Sequence, residues 1–167
     1  MIQLVQTNRS GVKLPGGNFE DLLKKSLRVL RAAGVIAGES GRDGILELYF
    51  VDEDEIKELN KKFRGKDAVT DVLSFSYLEA EEFPRANLIG QIFIAPMIAK
   101  GQAAEHGLML GEELEFLFVH GVLHVYGMDH EKAGDFRKMY ALQAKIMPDC
   151  KWGSFVEKIY QQYFGAD

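Results

Sequence analysis

The chain contains a single cysteine, Cys150, so no disulfide can form within it. This sets aside the small disulfide-stapled secreted folds and fits a reducing compartment. With no histidine near it in sequence, Cys150 reads as a packing thiol rather than a nucleophile or metal ligand. Long apolar runs are also missing: nothing approaches the roughly 18 to 20 residues that a membrane span requires. The first residues, MIQLVQTNRSGVKLPGG, lack a charged start, a long apolar run and a small-residue cleavage site. No secretory signal is therefore expected, no membrane partner is expected, and the expected location is cytoplasmic. An excess of positive charge is absent too. Lys and Arg number 20 against 25 Asp and Glu, for a net charge of −5 and a pI near 5.4. That excludes a protein coating long nucleic acids through bulk electrostatics, though not one with a local basic patch.

What is present suits one globular unit. At 167 residues the expected organisation is a single metal-dependent hydrolase domain over 1–167, with about 150–167 as a C-terminal helical extension. A chain of this size hides roughly two-thirds of its unfolded surface without staples. A first strand is expected over Ile2 to Gln6, then a Gly-rich bend ending at Gly17. Asn18 is placed to cap a helix whose Leu22, Leu23, Leu27 and Leu30 recur at helical spacing until Gly34. Ile45 to Val51 reads as a buried strand. Asp52 to Phe63 reads as a charged helix with Ile56, Leu59 and Phe63 inward. Val72 to Tyr77 and Leu88 to Ala95 are further strands, joined by an acidic connection with Glu79, Glu81, Glu82 and Pro84 that reads as a solvated turn. Helical patterns follow over Pro96 to His106, Glu112 to Tyr126, Lys132 to Ile146, and Phe155 to Phe164, the last able to dock Ile159, Tyr160 and Phe164. Strands first and helices last predict an α+β fold: a small mixed four-stranded sheet packed by about five or six helices.

Three of the 4 histidines fall in one segment, HGVLHVYGMDH. His120 and His124 project from one helix face a turn apart. Gly127 can take a positive φ, end the helix and return His130 to the same ion. Three imidazoles leave the fourth corner of a tetrahedron open, the arrangement of a catalytic zinc site. Three imidazoles also suit nickel, cobalt or copper. The fourth histidine, His106, reads as a helix-terminal residue whose positive charge suits the dipole beside Gly107. The ligand spacing is that of the zincin-like metzincin proteases, whose motif places a glutamate after the first histidine as general base. Here Gly121 stands in that place, followed by Val122 and Leu123, so the peptidase machinery is missing.

With these residues in view, the chain resembles the YbeY family of bacterial metal-dependent endoribonucleases, the ribosomal RNA maturation factors. The pattern H-G-x-L-H-x-x-G-x-D-H is matched in full from His120 to His130. A second matching block is LNKKFRGKDAVTDVLSFSY, residues 59–77. A third, Leu88-Ile89-Gly90-Gln91-Ile92, carries Gln91 where the family usually shows aspartate. The likeness spans roughly residues 20–150. It implies one zinc ion per chain on His120, His124 and His130, and a mixed sheet against which the metal helix packs. It also implies single-strand-selective RNA cleavage in small-subunit ribosomal RNA maturation and ribosome quality control, with ribosomal RNA and the small ribosomal subunit as partners.

The second block agrees with an RNA substrate on its own chemistry. Lys57, Lys61, Lys62, Arg64 and Lys66 crowd one helix end of an otherwise acidic chain. For the lysines a salt-bridged surface is the plainer reading, given Glu53, Glu55, Glu58 and Asp67. Arg64 is singled out because a guanidinium grips phosphate oxygens in a bidentate way. Arg64, His120, His124 and His130 are thus the candidate catalytic set. Asp71 reads as a turn-capping residue. Asp129 reads either as an imidazole partner or as the residue fixing the turn. Ser74 and Ser76 share one strand face. Two other functions fit the residues: a ribosome-assembly factor with a structural ion, and a metallohydrolase of other small substrates.

Overall fold

Each strand-forming stretch is rich in β-branched and aromatic residues, and in the computed structural model these stretches pair into one sheet. The structure describes residues 1–38, 43–79 and 87–148, together with 156, 160, 161, 164 and 165. The elements in chain order are β1 (Ile2–Asn8), α1 (Phe19–Ala32), β2 (Gly44–Phe50), α2 (Glu53–Arg64), β3 (Val72–Ser76), β4 (Leu88–Ile94), α3 (Pro96–His106), α4 (Leu110–Val125) and α5 (Ala133–Ile146). The sheet order is β1-β2-β4-β3. β1, β2 and β4 run parallel, and β3 lies antiparallel to β4 at the edge. This is the α+β fold the sequence pattern predicts, with five helices among the described residues. β1 runs past Gln6 because Thr7 and Asn8 find partners in Tyr49 and Phe50.

The helix ends are set by local groups. The Asp52 carboxylate accepts from the Glu55 backbone N–H at 2.8 Å and starts α2, which Gly65 ends at φ 68°. Asn18 departs from expectation: it stands at the N-cap of α1, but its side chain donates to Asp21 Oδ2 at 2.8 Å and makes no cap bond. The acidic first turn of Glu20 and Asp21 still complements the dipole there. Phe63 also departs. It is 56% exposed, not inward. α2 covers only one end of the sheet, through buried Ile56 and half-buried Leu59, and polar Asn60 takes the inward position by donating to Ala68 O at 2.8 Å. Phe63 instead lays its ring edge-on against Phe75, centroids 5.0 Å apart.

The other sheet face carries the main core. Leu46, Leu48 and Phe50 of β2 and Ile92 and Ile94 of β4 bury against α1 and α4. α4 is apolar on nearly every side, so it can only be satisfied as an enclosed helix. It lies on β3 and β4, with α1, α3 and α5 around it. Two glycines set the approach. A methyl group at Gly90 would meet Val125 Cγ1 at 2.6 Å, and one at Gly121 would meet Ile92 Cγ2 at 2.8 Å. Ser76 Oγ adds a bond to Val125 O at 2.7 Å.

Of the acidic connection, only Glu79 falls among the described residues; Glu81, Glu82, Pro84, Cys150, Phe155 and Ile159 lie outside them. Tyr160 and Phe164 pack their rings on Phe136 at 5.6 and 5.5 Å. Among the described residues, no helix is long and apolar enough to cross a membrane.

The close packing at Gly90 makes a direct prediction. Gly90→Ala is expected to destabilise the fold by about 1–3 kcal/mol, because Phe75 O at 3.0 Å is backbone and cannot yield. Gly134→Ala, with open space around it, should be neutral or stabilising by up to about 1 kcal/mol. Urea denaturation midpoints at constant m-value measure both.

Candidate metal centre

His120 and His124 sit one turn apart on α4, and Gly127 at φ 77° turns the chain back just after that helix. Its backbone N–H donates to His124 O at 2.9 Å and that of Met128 to Leu123 O at 3.0 Å, which closes the helix end. The turn is held by Asp129, whose Oδ1 accepts from the His130 backbone N–H at 2.7 Å. Of the two roles open to Asp129, the structure displays the turn-fixing one. His130 thereby joins the helical pair. One nitrogen from each ring lies within 4.8 Å of the others. The ring centroids are 4.7, 5.2 and 5.0 Å apart.

The donor set fits a transition-metal ion. His120 Nε2 and His124 Nε2 face each other at 3.1 Å, close to the ~3.3 Å edge of a tetrahedron with metal–nitrogen bonds of ~2.0–2.1 Å. Burial, with the neighbouring histidines adding to it, pushes His120 down to about 3. Burial and then His130 push His124 down to about 4, and Arg64 acts in the same direction. Both rings are therefore neutral at pH 7, with lone pairs available for coordination. The tautomer of His120 follows from its neighbour. Gln143 Nε2 donates to Phe116 O at 2.9 Å, so its Oε1 must face His120 Nδ1, 3.4 Å away. Nδ1 then carries the proton and Nε2 points its lone pair at the partner ligands. Gln143 is buried at 3% exposure. Nothing in the sequence marked it, because its partner lies 23 residues away.

The centre opens on a cleft of about 810 Å³ that Arg64, Asp71 and Tyr140 also line. Arg64, at the end of α2, is exposed and has no acidic partner among the described residues. The lysines beside it divide as the plainer reading has it. Lys57 and Lys61 pair with Asp67 at 3.6 and 2.8 Å, and Lys62 lies over the Phe63 ring. None of Lys57, Lys61, Lys62 or Lys66 lines the cleft. Asp71 caps its own turn, its Oδ1 accepting from Val72 N at 2.8 Å, while its side chain also faces the cleft. Ser74 lines the cleft. Gly121 points away from it, into Ile92 of the sheet. A glutamate there would enter the core rather than reach the metal centre, so the metzincin base has no place in this fold.

Two further cleft residues escape a sequence reading. Glu113, two helical turns before His120, is 1% exposed and burial pushes its carboxyl up to about 8. His106 Nδ1 lies 3.4 Å from Glu113 Oε2, and burial lowers the basicity of His106. His106 closes the last turn of α3 beside Gly107, as expected, while burial works against its charged form. Tyr140, with its ring 5.8 Å from His120 and 6.4 Å from His130, is pushed up to about 12 by burial and stays a donor.

Gln143→Leu is expected to lower metal affinity by about 10- to 100-fold, measured by competition with a chromogenic chelator. The Glu113 carboxyl generates a pH dependence. Its folded value lies above the ordinary one of 4.5, so the native state holds a proton that the unfolded chain has lost. Its contribution to stability is full below pH 4.5 and declines by up to about 1.4 kcal/mol per unit as pH rises toward 8. Glu113→Gln should remove that slope, so the stability of the variant relative to the parent rises between pH 5 and 8 in urea titrations.

The matches to known proteins follow the same residues. The endoribonuclease YbeY family model matches residues 5–151. A protein of Moorella thermoacetica named endoribonuclease YbeY is 42% identical over 135 residues, 77% of this chain and 86% of that one. The Lactobacillus helveticus protein of that name is 32% identical over 145 residues, 80% of each chain. The Thermodesulfovibrio yellowstonii one is 42% identical over 109 residues, 64% of this chain and 67% of that one. A solution structure from Thermotoga maritima aligns over 96% of this chain and 95% of that one, at 28% identity and a TM-score of 0.46. With the histidine triad, its glycine turn and the arginine block all inside the matched span, this chain belongs to the endoribonuclease YbeY family.

Proposed function

We propose that this protein is a cytoplasmic metal-dependent endoribonuclease that cleaves single-stranded RNA during small-subunit ribosomal RNA maturation and ribosome quality control. The observation that carries this reading is the convergence of three imidazoles on one wall of an open cleft that Arg64 also lines. His120, His124 and His130 would hold one zinc ion, which when bound supplies Lewis acidity toward a phosphoryl oxygen.

The remaining work falls to the chain itself. Arg64 binds the phosphate bidentately and offsets the charge that grows on it as the bond breaks. With no acidic partner among the described residues, its donors are open to the substrate. The family name of the relatives, endoribonuclease YbeY, supports RNA as that substrate. His120 is only 8% exposed, so a phosphate reaching it must descend into the cleft. A flexible single strand with its bases splayed out can do so, while a duplex presents its phosphates on a rigid outer surface. The small ribosomal subunit is the proposed setting, with ribosomal RNA as the physiological substrate.

Elemental mass spectrometry beside cleavage of a single-stranded RNA tests this reading. About one zinc ion per chain is expected, with His124→Ala losing both metal and cleavage. Arg64→Ala should keep its ion and cleave about 100-fold more slowly. Full cleavage by His124→Ala would overturn the assignment. A bound ion with RNA binding but no cleavage would favour the assembly-factor reading instead.

A further inference from the structure

The cleft extends beyond what the metal centre occupies. Seven residues of helix return to nearly the same direction, so Glu113 lies on the same wall of α4 as His120, about 10 Å along the axis. Gln102 and His106 of α3 and Asp71, next to β3, line the cleft together with Glu113. Asp71 Oδ2 accepts from Gln102 Nε2 at 3.1 Å. A carboxylate only accepts, so the amide nitrogen must face it and the amide orientation is settled. Gln102 Oε1 is then left buried with no hydrogen-bond partner among the described residues. Such a buried acceptor is costly unless an N–H reaches it.

The two ends of the cleft differ in the groups they present. Arg64 and the three imidazoles stand at the metal end, where Glu131 also lines the cleft, and Asp71 lies between Tyr140 and Glu113. Glu105 adds another acid to the lining beside Gln102 and His106. The second end suits a neutral group with N–H donors on its edge, because acceptor oxygens prevail there. Between the ends lies Phe116, its ring within 20° of parallel to His120 and 25° to Tyr140. At 6% exposure it forms a closed floor between them, so a base in the cleft is held by its edge rather than by stacking on this ring. The ~10 Å between His120 and Glu113 matches about three stacked nucleotides at ~3.4 Å each, and fewer in an extended strand.

From these positions we infer that the arm of the cleft bounded by Gln102, His106, Glu113 and Phe116 is a nucleobase pocket. It takes the base one to three nucleotides from the scissile phosphate and favours bases carrying an exocyclic amino group, with two N–H donors for neighbouring acceptors, over uracil, whose single N3–H lies between two carbonyl oxygens that an acceptor-rich lining repels. The inference rests on the ribonuclease reading above. Cytosine and uracil make the cleanest comparison, since they share size and differ at the amino edge.

The test measures fluorescence anisotropy of the metal-loaded protein with oligocytidylate and oligouridylate of equal length, in the cold, with RNA integrity checked on gels. Oligocytidylate should bind about tenfold more tightly, the equivalent of about 1.4 kcal/mol. Gln102→Leu should bring the ratio near one while keeping one metal ion per chain. Gln102→Met, which removes the same acceptor at similar length, should narrow the ratio as well and covers the case in which Gln102→Leu fails to fold. Equal binding of the two RNAs by the parent protein, or an unchanged ratio in the folded variants, overturns the pocket. If the parent protein cleaves both RNAs without discrimination, the pocket fails and the ribonuclease reading stands. If it neither binds nor cleaves either RNA, the ribonuclease reading fails and takes the pocket with it.

Discussion

The contact between α4 and the sheet governs this molecule, because one helix serves both as the centre of the core and as the wall of the metal site. Gly121 and Gly90 remove the side chains that would hold helix and sheet apart, and Ile92 and Val125 fill the space they leave. The helix can come this close only because one of its faces is stripped to hydrogen. Its opposite face then meets the cleft, where His120 and His124 stand. Moving the helix outward by even a methyl group would shift both ligands relative to His130, which is set by the loop after Gly127. Core packing and ligand geometry are therefore one constraint, with the sheet as a rigid floor.

Burial by the same contact sets the chemistry of the site. An imidazole enclosed among apolar residues loses the hydration that its charged form needs, so His120 and His124 are held neutral well below physiological pH. Free lone pairs in a low-dielectric pocket, one of them aimed by the Gln143 amide, are what a divalent transition metal requires. The same burial acts on Glu113 with the opposite sign of charge: there it retains the proton on a carboxyl. The cleft thus carries little formal charge of its own on its α4 wall, and Arg64 brings a cation to its lining.

Arg64 illustrates how a basic cluster divides its labour. Asp67 neutralises Lys57 and Lys61 on the outer surface of α2. Arg64 is the member of that cluster that reaches the cleft. Its place at the end of α2 is secured by Gly65 and by the Asn60 bond to Ala68, which fold the following loop back toward β3. An acidic protein can in this way present a single cation to a phosphate without attracting polyanions over its whole surface.

What the sequence by itself determined is whatever depends on residues close together in the chain. The helical pair His120 and His124, the turn at Gly127 that returns His130 and the α+β order of elements all follow from local periodicity and backbone preference. The pairing of the parallel strands, the exposure of Phe63 and the substitution of Asn60 at the inward position were decided by how far α2 overlaps the sheet, which no local pattern encodes. Gln143 behind His120, Gln102 against Asp71 and Glu113 beside His106 belong to the same class. Their partners come from other elements, and their roles exist only once burial has removed the water that would otherwise satisfy them. Local spacing selects which atoms can act together along one element; tertiary packing decides which groups lose their solvent, and with it their charge.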